Sequence, residues 1–365
     1  MARAGRRGRG NVTIEDVARM AGVSAMTVSR VINDEGNVRD TTRASVEDAI
    51  RRLNYSPNSA ARSLAAGQSI HIGLLYANPS AAYLSQFLVG ALEGTRRGGC
   101  HLVIEACESE GADEQAEATR RFLTTEVEGV VLPPPLSESQ PILAELAAAG
   151  IPAVTVAMGR PREDALNVRI DDFAAAREMT SHLIGLGHRK IGMIRGHPTH
   201  IASFERTRGF RAALEAHGLD PDAAPVEQGY FTFRSGMVAA ERLLARGNRP
   251  TAIFASNDDM AAAAIWVAHR HGLVVPDDIS VAGFDDTAPA TTVWPELTTV
   301  RQPISAMAEA AVELLLTRLR AVRSGGRGHA AERVLAHSLV LRESTASPRR
   351  RAKPRPAGAE HFAPR

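Results

Sequence analysis

The sequence has few of the features that mark cross-linked, membrane-spanning or secreted proteins. Only two of its 365 residues are cysteines. The spacing of Cys100 and Cys107 matches no metal or redox motif, so we expect buried free thiols. No apolar run reaches the roughly 18 residues that cross a bilayer. No apolar segment follows the basic residues 1–11, which favours a cytoplasmic, nucleoid-associated protein over a secreted one.

Motifs of the common catalytic sites are also missing. The chain has no Walker loop, no G-x-S-x-G elbow and no H-E-x-x-H pair. The pairs Asp171-Asp172 and Asp285-Asp286 could supply general acid and base groups to an enzyme that acts on sugars. Adjacent residues of a strand, however, point to opposite faces. We therefore expect no enzyme activity, no catalytic residue, no cofactor and no metal site.

The small net charge of +2 conceals three segments of different charge. Residues 1–66 carry 11 arginines against 7 acidic side chains, and residues 344–365 carry 6 basic side chains against 1 glutamate. The segment between them has 26 basic and 33 acidic residues. A basic head on an acidic body is typical of a DNA-reading module attached to a domain that binds a neutral ligand.

Residues 13–33 have the pattern of two short helices joined by a turn at Gly22. Thr13 can begin the first helix with a capping box, and Ser24 can cap the second. A third helix, capped by Asp40, is predicted to end near residue 53. A short helix with a free N-terminal end, held by a partner helix, fits the major groove of DNA. A helical hairpin without any DNA-binding role is the alternative.

From Ile70 onward, strand-like and helical stretches alternate. Apolar runs predict strands at 72–76, 102–106, 129–133, 152–156, 190–194, 251–255 and 279–284. Helical patterns lie between most of them, at 112–123, 173–186, 204–217, 234–245 and 259–271. This alternation predicts an α/β body with parallel sheets and helices on both faces. Ligands of such folds bind at the carboxyl ends of the strands, where polar residues such as Asn78 stand here.

The sequence TIEDVARMAGVSAMTVSRVIN, followed by VRDTTRASVEDAIRRLNYSPNSAARSL, closely resembles the headpiece of the lactose/galactose (LacI/GalR) repressor family of bacterial transcription regulators. The body carries further motifs of that family in the same order: LGHRKIGMI, RTRGFRAAL, ASNDDMA, VPDDISVAGFDD and LTTVRQP. The resemblance covers roughly residues 12–343. It implies a helix-turn-helix headpiece and a two-lobed body similar to a periplasmic sugar-binding protein.

The composition of the two ends, which are rich in arginine with glycine or proline, predicts disorder there, and the resemblance implies how the chain between them is divided. We expect a disordered basic arm at 1–11, a DNA-binding headpiece at 12–57, a hinge helix and linker at 58–69, an effector-binding and dimerisation body at 70–343, and a disordered basic tail at 344–365. Relatives that form tetramers add a leucine heptad at the C-terminus. Because the last segment has no such heptad, a homodimer is expected.

Residues that would contact DNA follow from the same resemblance. Bases would be read by Ala25, Met26 and Arg30, and phosphates of the DNA would be contacted by Thr13, Thr27 and Ser29. Ser24, at the start of the second helix, is also expected among the DNA-binding residues. In relatives, the stretch matching 58–65 folds into a hinge helix only on DNA. A leucine there, Leu64 in this chain, is wedged into the minor groove with Asn58 and Ala61 beside it. An ordinary interdomain linker is the alternative.

The body of such a regulator would bind a small effector in its cleft. The resemblance assigns Arg206 and Asp285 to grip polar groups of a sugar or a nucleobase-like ligand. The same resemblance adds a polar contact and two aromatic walls, from Asn257, Phe231 and Tyr83. Three residues are weaker candidates, because surface or capping roles explain them nearly as well: Asp171, Asp172 and Gln302.

Together these expectations describe a ligand-responsive repressor of carbohydrate uptake or metabolism genes that binds a pseudopalindromic operator as a dimer. A solute-binding protein without a regulatory role is the alternative, since the body alone would suggest it. Inducers loosen DNA binding in some relatives and corepressors tighten it in others, so both responses stay open.

Overall fold

The computed structural model describes residues 13–32, 38–53, 55, 70–107, 111–158, 165–326 and 329–349. The chain forms two compact units, with the boundary between Ser69 and Ile70. The first is a small helical headpiece, and the second is a large α/β body. The predicted hinge residues Asn58, Ala61 and Leu64 lie outside the described residues.

The headpiece contains the three predicted helices. They are α1 (Ile14–Ala21), α2 (Ala25–Ile32) and α3 (Asp40–Leu53). Gly22 follows α1 with a φ of 68°, a backbone conformation that glycine adopts without a steric penalty. The apolar faces of the helices meet in a small core formed by Val17, Ala18, Val28, Val31, Val46 and Ala49. The helical periodicity of the sequence thus arises from one shared core.

The first two predicted helix starts are confirmed, and the third differs. The Thr13 amide donates to Asp16 Oδ2 at 3.0 Å and the Asp16 amide donates to Thr13 Oγ1 at 3.3 Å, which forms the capping box. The prediction that Asp40 caps α3 is wrong. The amides of the first turn donate to the Arg39 carbonyl, so Asp40 is the first helical residue. Its carboxylate still lies where the helix dipole favours a negative charge.

The first sheet of the body has six parallel strands. They are β1 (His71–Tyr76), β2 (His101–Ala106), β3 (Gly129–Leu132), β4 (Ala153–Val156), β5 (Leu166–Arg169) and β11 (Ala331–Val334), in the spatial order β11-β5-β4-β3-β1-β2. Leu74 of β1 lies between Ile104 and Val131 in the register. This sheet and the helices packed on it form lobe 1. Those helices are α4 (Ala81–Gly98), α5 (Ala112–Leu123), α6 (Gln140–Ala148) and α12 (Ile304–Arg323).

The second sheet also has six strands. They are β6 (Ile191–Arg195), β7 (Val226–Gln228), β8 (Ala252–Ala255), β9 (Ser280–Asp285), β10 (Thr298–Arg301) and β12 (Ser338–Val340), in the order β12-β10-β9-β8-β6-β7. Among the described strand pairs of this sheet, only that of β12 with β10 is antiparallel. Lobe 2 is completed by α7 (Asp172–Gly185), α8 (Ile201–Ala216), α9 (Phe233–Leu244), α10 (Asp258–Arg270) and α11 (Ala288–Thr292). The predicted α/β class with parallel sheets is confirmed.

The chain passes between the lobes three times. It enters lobe 2 after β5, returns to lobe 1 after β10 to form α12 and β11, and enters lobe 2 again to form β12. The carboxyl ends of β1 and β3 in lobe 1 lie opposite those of β6, β8 and β9 in lobe 2. Residues that follow these strand ends therefore line one cleft between the lobes. None of the described helices is long and apolar enough to cross a membrane.

Two further expectations are corrected. Residues 344–349, which were assigned to the disordered tail, are attached to lobe 2: Ser344 Oγ donates to the Val281 carbonyl at 2.6 Å, and the Ala346 amide donates to Ser280 Oγ at 3.0 Å. The body therefore extends past the predicted boundary at residue 343. Cys107 is buried, but Cys100 is only half-buried, and no disulfide joins the two in the part of the chain that the structure describes.

Candidate ligand-binding and nucleic-acid-binding sites

A cleft of about 510 Å³, part of it open to solvent, lies between the two lobes. Its volume is within the range of small-molecule sites. Lobe 1 lines it with Asn78, Pro79, Ser80, Tyr83, Pro134, Glu138 and Ala157, and lobe 2 with His200, Ala202, Arg206, Phe231, Asn257, Asp285 and Gln302. All five effector residues suggested by the resemblance are among them. Whether they bind an effector stays a prediction.

Arg206 is the buried cation of the cleft. Its Nε donates to Asp172 Oδ1 at 2.8 Å, and its NH1 group donates to the Ser256 carbonyl. NH1 also lies 3.7 Å from Asp285 Oδ1. The guanidinium carbon lies 3.6 Å from the centre of the Phe284 ring, which supports one face of the group. These contacts fix the orientation of Arg206, and they show that Asp172 is a buried ion-pair partner and not a surface residue.

Asp285 ends β9 and faces Arg206 inside the cleft. Gln302 Nε2 donates to Asp285 Oδ1 at 2.6 Å. Burial raises the pKa of Asp285 to about 7, although Arg206 and Gln302 act in the opposite direction. The neighbouring Asp286 points elsewhere, because its carboxylate accepts from Arg301 Nε at 2.6 Å and from Arg342 at 2.7 Å. The expected divergence of this aspartate pair is therefore observed.

Strained backbone is concentrated around the cleft. Five described residues other than glycine have a positive φ, and three of them line the cleft: Ala157 (58°), Phe231 (61°) and Asp285 (114°). Asp286, next to Asp285, has a φ of 58°. Such conformations are costly for residues with a side chain and persist where the surrounding structure holds them, often at binding sites.

Phe231 forms an aromatic wall of the cleft. The side-chain amide of Asn257 holds the backbone at Phe231, because Asn257 Nδ2 donates to the Phe231 carbonyl at 3.0 Å. Asn257 Oδ1 accepts from the Met260 backbone amide at 3.0 Å. The ring packs closely over Gly196, where a Cβ would lie 2.0 Å from Phe231 Cζ. The His200 ring stacks on it with centroids 5.6 Å apart. Asn257 thus caps α10 and also positions the wall.

Two buried polar atoms of the cleft have no hydrogen-bond partner in the described structure. They are Tyr83 Oη and Gln302 Oε1, on side chains from opposite lobes. Burial also raises the pKa of Tyr83 far above its ordinary value, so its hydroxyl is neutral. Buried polar atoms are normally hydrogen-bonded, and such unpaired atoms in a cleft are suited to a ligand. Gln302, a weaker candidate in the sequence, is therefore a central one in the structure.

Sequence reasoning missed Glu138 and His200. Both oxygens of Glu138 in lobe 1 accept from the Ile201 amide in lobe 2, at 3.1 and 3.0 Å. Burial raises the pKa of Glu138 to about 7, and the bond from Ile201 opposes that shift. Burial, His197 and Arg206 lower the pKa of His200 to about 4, so its ring is neutral. No local sequence pattern marks either residue, since both reach the cleft only through the pairing of the lobes.

In the headpiece, α2 presents part of its surface to solvent. Met26 is 68% exposed, so it is not a core residue, and Arg30 is also exposed. Ala25, Thr27 and Ser29 are partly exposed, while Val28 and Val31 face the core. Of the three predicted reading residues, Met26 and Arg30 therefore lie on the accessible side of the helix, while Ala25 also packs against the headpiece core.

Hydroxyl groups at the helix starts already make bonds within the headpiece. The Thr27 amide donates to Ser24 Oγ at 3.2 Å, and the two hydroxyl oxygens lie 2.9 Å apart. Thr13 Oγ1 donates to Asp16 Oδ2 at 2.8 Å. The predicted DNA contacts of these residues would be made in addition to their capping bonds.

Comparisons with known proteins agree for both units. The family described as "Bacterial regulatory proteins, lacI family" matches residues 13–58, and "Periplasmic binding protein-like domain" matches residues 180–345. The chain is 35% identical over 344 residues to the HTH-type transcriptional regulator DegA of Bacillus subtilis (strain 168), which spans 91% of this chain and 98% of DegA.

Two solved structures are also similar over most of the chain. One is a complex of the transcriptional regulator CelR with cellobiose, at 32% identity and a TM-score of 0.68. The other is a lac repressor dimer bound to operator and the anti-inducer ONPF, at 30% identity and a TM-score of 0.68. Each similarity covers 92% of this chain and 100% of the other chain.

Proposed function

Because the chain belongs to the lacI family of bacterial regulatory proteins, we propose that it is a repressor that binds a pseudopalindromic operator as a homodimer and responds to a carbohydrate in its cleft. Membership of the family makes the protein a ligand-responsive transcription regulator and not an enzyme. The proposal adds the dimer, the two-fold symmetry of the DNA site and the class of effector.

The observation that carries the proposal is the polar floor of the cleft. Asp285 and the unpaired Gln302 Oε1 are acceptors for hydroxyl groups, Arg206 is a fixed donor, and Phe231 offers a flat ring. Sugars are bound by such a combination of planar polar groups and an aromatic wall. The similar CelR structure holds cellobiose, which supports a carbohydrate in the corresponding cleft here.

For the headpiece, we assign base contacts to Ala25, Met26 and Arg30. Arg30 would donate to guanine or to phosphate, and Ala25 would touch a thymine methyl group. Phosphate contacts are assigned to Thr13, Ser24, Thr27 and Ser29. Minor-groove contacts are assigned to Asn58, Ala61 and Leu64. The similar lac repressor structure is a dimer on its operator, which supports the same arrangement for this chain.

Regulation requires coupling between the cleft and the DNA-binding residues. We assign the headpiece to residues 12–57, the hinge to 58–69 and the effector-binding body to 70–349. A ligand that prefers one angle between the lobes would change the spacing of the two hinges of a dimer. Typical couplings of about 1–3 kcal/mol change DNA affinity by roughly 5- to 150-fold.

A genome-wide footprint of the purified full-length protein tests the proposal. We expect protection of a small number of sites, each with two inverted half-sites, because two-fold protein symmetry requires two-fold DNA symmetry. Genes beside the sites should encode carbohydrate uptake or metabolism. A protein that is folded and dimeric but prefers no duplex over random competitor, with or without metabolites, would contradict the proposal and favour a solute-binding role.

The cleft is tested with Asp285→Asn on an operator found in this way. The variant should keep its operator affinity and lose its response to the effector, because only the cleft has changed. Glu215→Gln is the matched control, since Glu215 is an exposed residue of α8 outside the cleft. An unchanged response of Asp285→Asn would remove Asp285 from the effector site.

A further inference from the structure

Carboxyl groups outnumber cations in and around the cleft. Glu138 and Asp285 line the cleft, and three more aspartates stand directly behind or beside these residues: Asp172, Asp258 and Asp259. Among the described lining residues, Arg206 is the only lysine or arginine. Its charge is shared between Asp172 at 2.8 Å and Asp285 at 3.7 Å.

The other three carboxylates accept hydrogen bonds from neutral groups only. Glu138 accepts from the Ile201 amide. Asp259 accepts from Ser80 Oγ at 2.6 Å and from Asn257 Nδ2 at 3.4 Å. Asp258 accepts from the Thr287 amide and hydroxyl and from Thr299 Oγ1. In the described part of the chain none of the three carboxyls has a cationic partner to stabilise its ionised form.

The pKa shifts of these groups show that the ionised carboxylates are disfavoured as long as no cation joins them. The pKa of each of the five carboxyls is raised, with burial as the first cause. Repulsion adds to burial: Asp172 acts on Glu138, Asp285 acts on Asp258, and Asp259 and Asp172 act on Asp285. Arg206 lowers the pKa of Asp172 and Asp285, while Asp171 and Arg169 have smaller, opposed effects on Asp172.

The cleft is also built to receive a ligand, on evidence independent of its charge. The Tyr83 and Gln302 side chains are 5% and 3% exposed, line the cleft, and each has one polar atom without a hydrogen-bond partner. A bound molecule with hydroxyl groups would supply the missing donor and acceptor.

From this arrangement we propose that the cleft selects a polyhydroxylated ligand that carries a protonated amine, such as an amino sugar, and that the ammonium group binds beside Glu138. Glu138 is favoured over Asp285 because Arg206 stands 3.7 Å from Asp285 and would repel a second cation. The neighbouring His200 ring is neutral at pH 7 and adds no repulsion. The proposal deepens the proposed function, since it rests on the cleft being the effector site.

Matched sets of sugars test the charge preference directly. Calorimetry with the full-length protein at pH 7.5 would compare D-glucosamine, D-glucose and D-glucuronate, and likewise D-galactosamine, D-galactose and D-galacturonate. In at least one set the amino sugar should bind about tenfold or more tightly than the neutral sugar, because one hydrogen bond to a charged group contributes roughly that much to affinity. The acidic sugar should bind least tightly. Binding of the amino sugar should release protons, because an ammonium ion favours the ionised carboxyls.

Glu138→Gln isolates the proposed subsite. The variant should bind the amino and neutral sugars with similar affinity, because the amide keeps the shape of the side chain and removes its charge. Glu105→Gln is the control, since Glu105 is an exposed residue of β2 outside the cleft, and it should keep the preference.

Three results would overturn the proposal: tighter binding of a neutral or acidic sugar than of its amino counterpart, an unchanged preference in Glu138→Gln, or no binding of any member of either set at millimolar concentration. Operator binding is measured in the same preparations. If operator binding is intact and any of these three results is found, the preference for an amino sugar is rejected and the proposed function as a DNA-binding regulator is retained.

Discussion

Replacing Arg206 by methionine should destabilise the body strongly, and more strongly at high pH. The change removes the bonds to Asp172 and to the Ser256 carbonyl, while the methionine side chain can still cover the Phe284 ring. Removing one partner of a buried ion pair costs about 3–5 kcal/mol. In a large domain each kcal/mol lowers Tm by about 2 °C, so we expect a loss of about 6–10 °C at pH 8.

The pH dependence follows from the carboxyl that is left behind. Burial raises the pKa of Asp172 even with Arg206 in place, and loss of the cation raises it further. The pKa of Asp172 in the unfolded chain is about 3.9. At pH values between this pKa and the higher pKa of the folded state, Asp172 carries a proton in the folded protein but not in the unfolded chain. Stability therefore falls as pH rises through that window. The loss of Tm in Arg206→Met should be smaller at pH 5, where the buried carboxyl can be protonated.

Differential scanning calorimetry of the wild type and Arg206→Met at pH 5 and pH 8 measures both effects. The double variant Arg206→Met/Asp172→Asn should recover part of the lost stability at pH 8, because it removes the unpaired charge. An equal loss at the two pH values, together with no recovery in the double variant, would refute the buried ion pair as the source of stability.

Three further variants examine the wall, the reading helix and the tail. Gly196→Ala should displace the Phe231 ring and weaken effector binding about 3- to 10-fold, the worth of one aromatic contact. Gly185→Ala is the control, because a Cβ at that position would have no neighbouring atom within 4 Å. Equal effector affinities of the two variants would show that the Phe231 ring does not contribute to binding. Met26→Ala should change stability by less than about 0.5 kcal/mol while lowering operator affinity more than random-DNA affinity, as gel-shift titration would show. Residues 350–365 include five basic residues. Deleting them should make the plot of log binding constant against log salt concentration less steep, by about 0.9 for each phosphate contact that is lost. An unchanged slope would mean that these residues make no phosphate contact.

Much of the fold was predictable because its strands and helices carry strong local patterns. The buried run of β3 and the helix α5 were located within a residue of their observed ends. Strands such as β7 and β12 were missed because they have only three residues and stand at sheet edges, where polar side chains are tolerated. The return of α12 to lobe 1 has no local signal, since it depends on which sheet offers an uncovered apolar face.

The site was predictable where a motif carries it and not where it depends on contact between lobes. Arg206 and Asp285 stand in recognisable motifs, and both line the cleft. Asp172 was underestimated because its role depends on burial against Arg206, which lies 34 residues further along the chain. Glu138 was missed for a similar reason, since its partner is the start of a helix in the other lobe.

The repeated passage of the chain between the lobes constrains how a nascent chain acquires its structure. The edge of the first sheet is completed only when residues 331–334 pair with β5, and α12 must also arrive to cover that sheet. Almost the whole chain must therefore leave the ribosome before lobe 1 can close its core, while most of lobe 2 is already translated. Until then the apolar surface that α12 later covers is exposed, and exposed apolar surface of this kind makes an incomplete chain prone to aggregate.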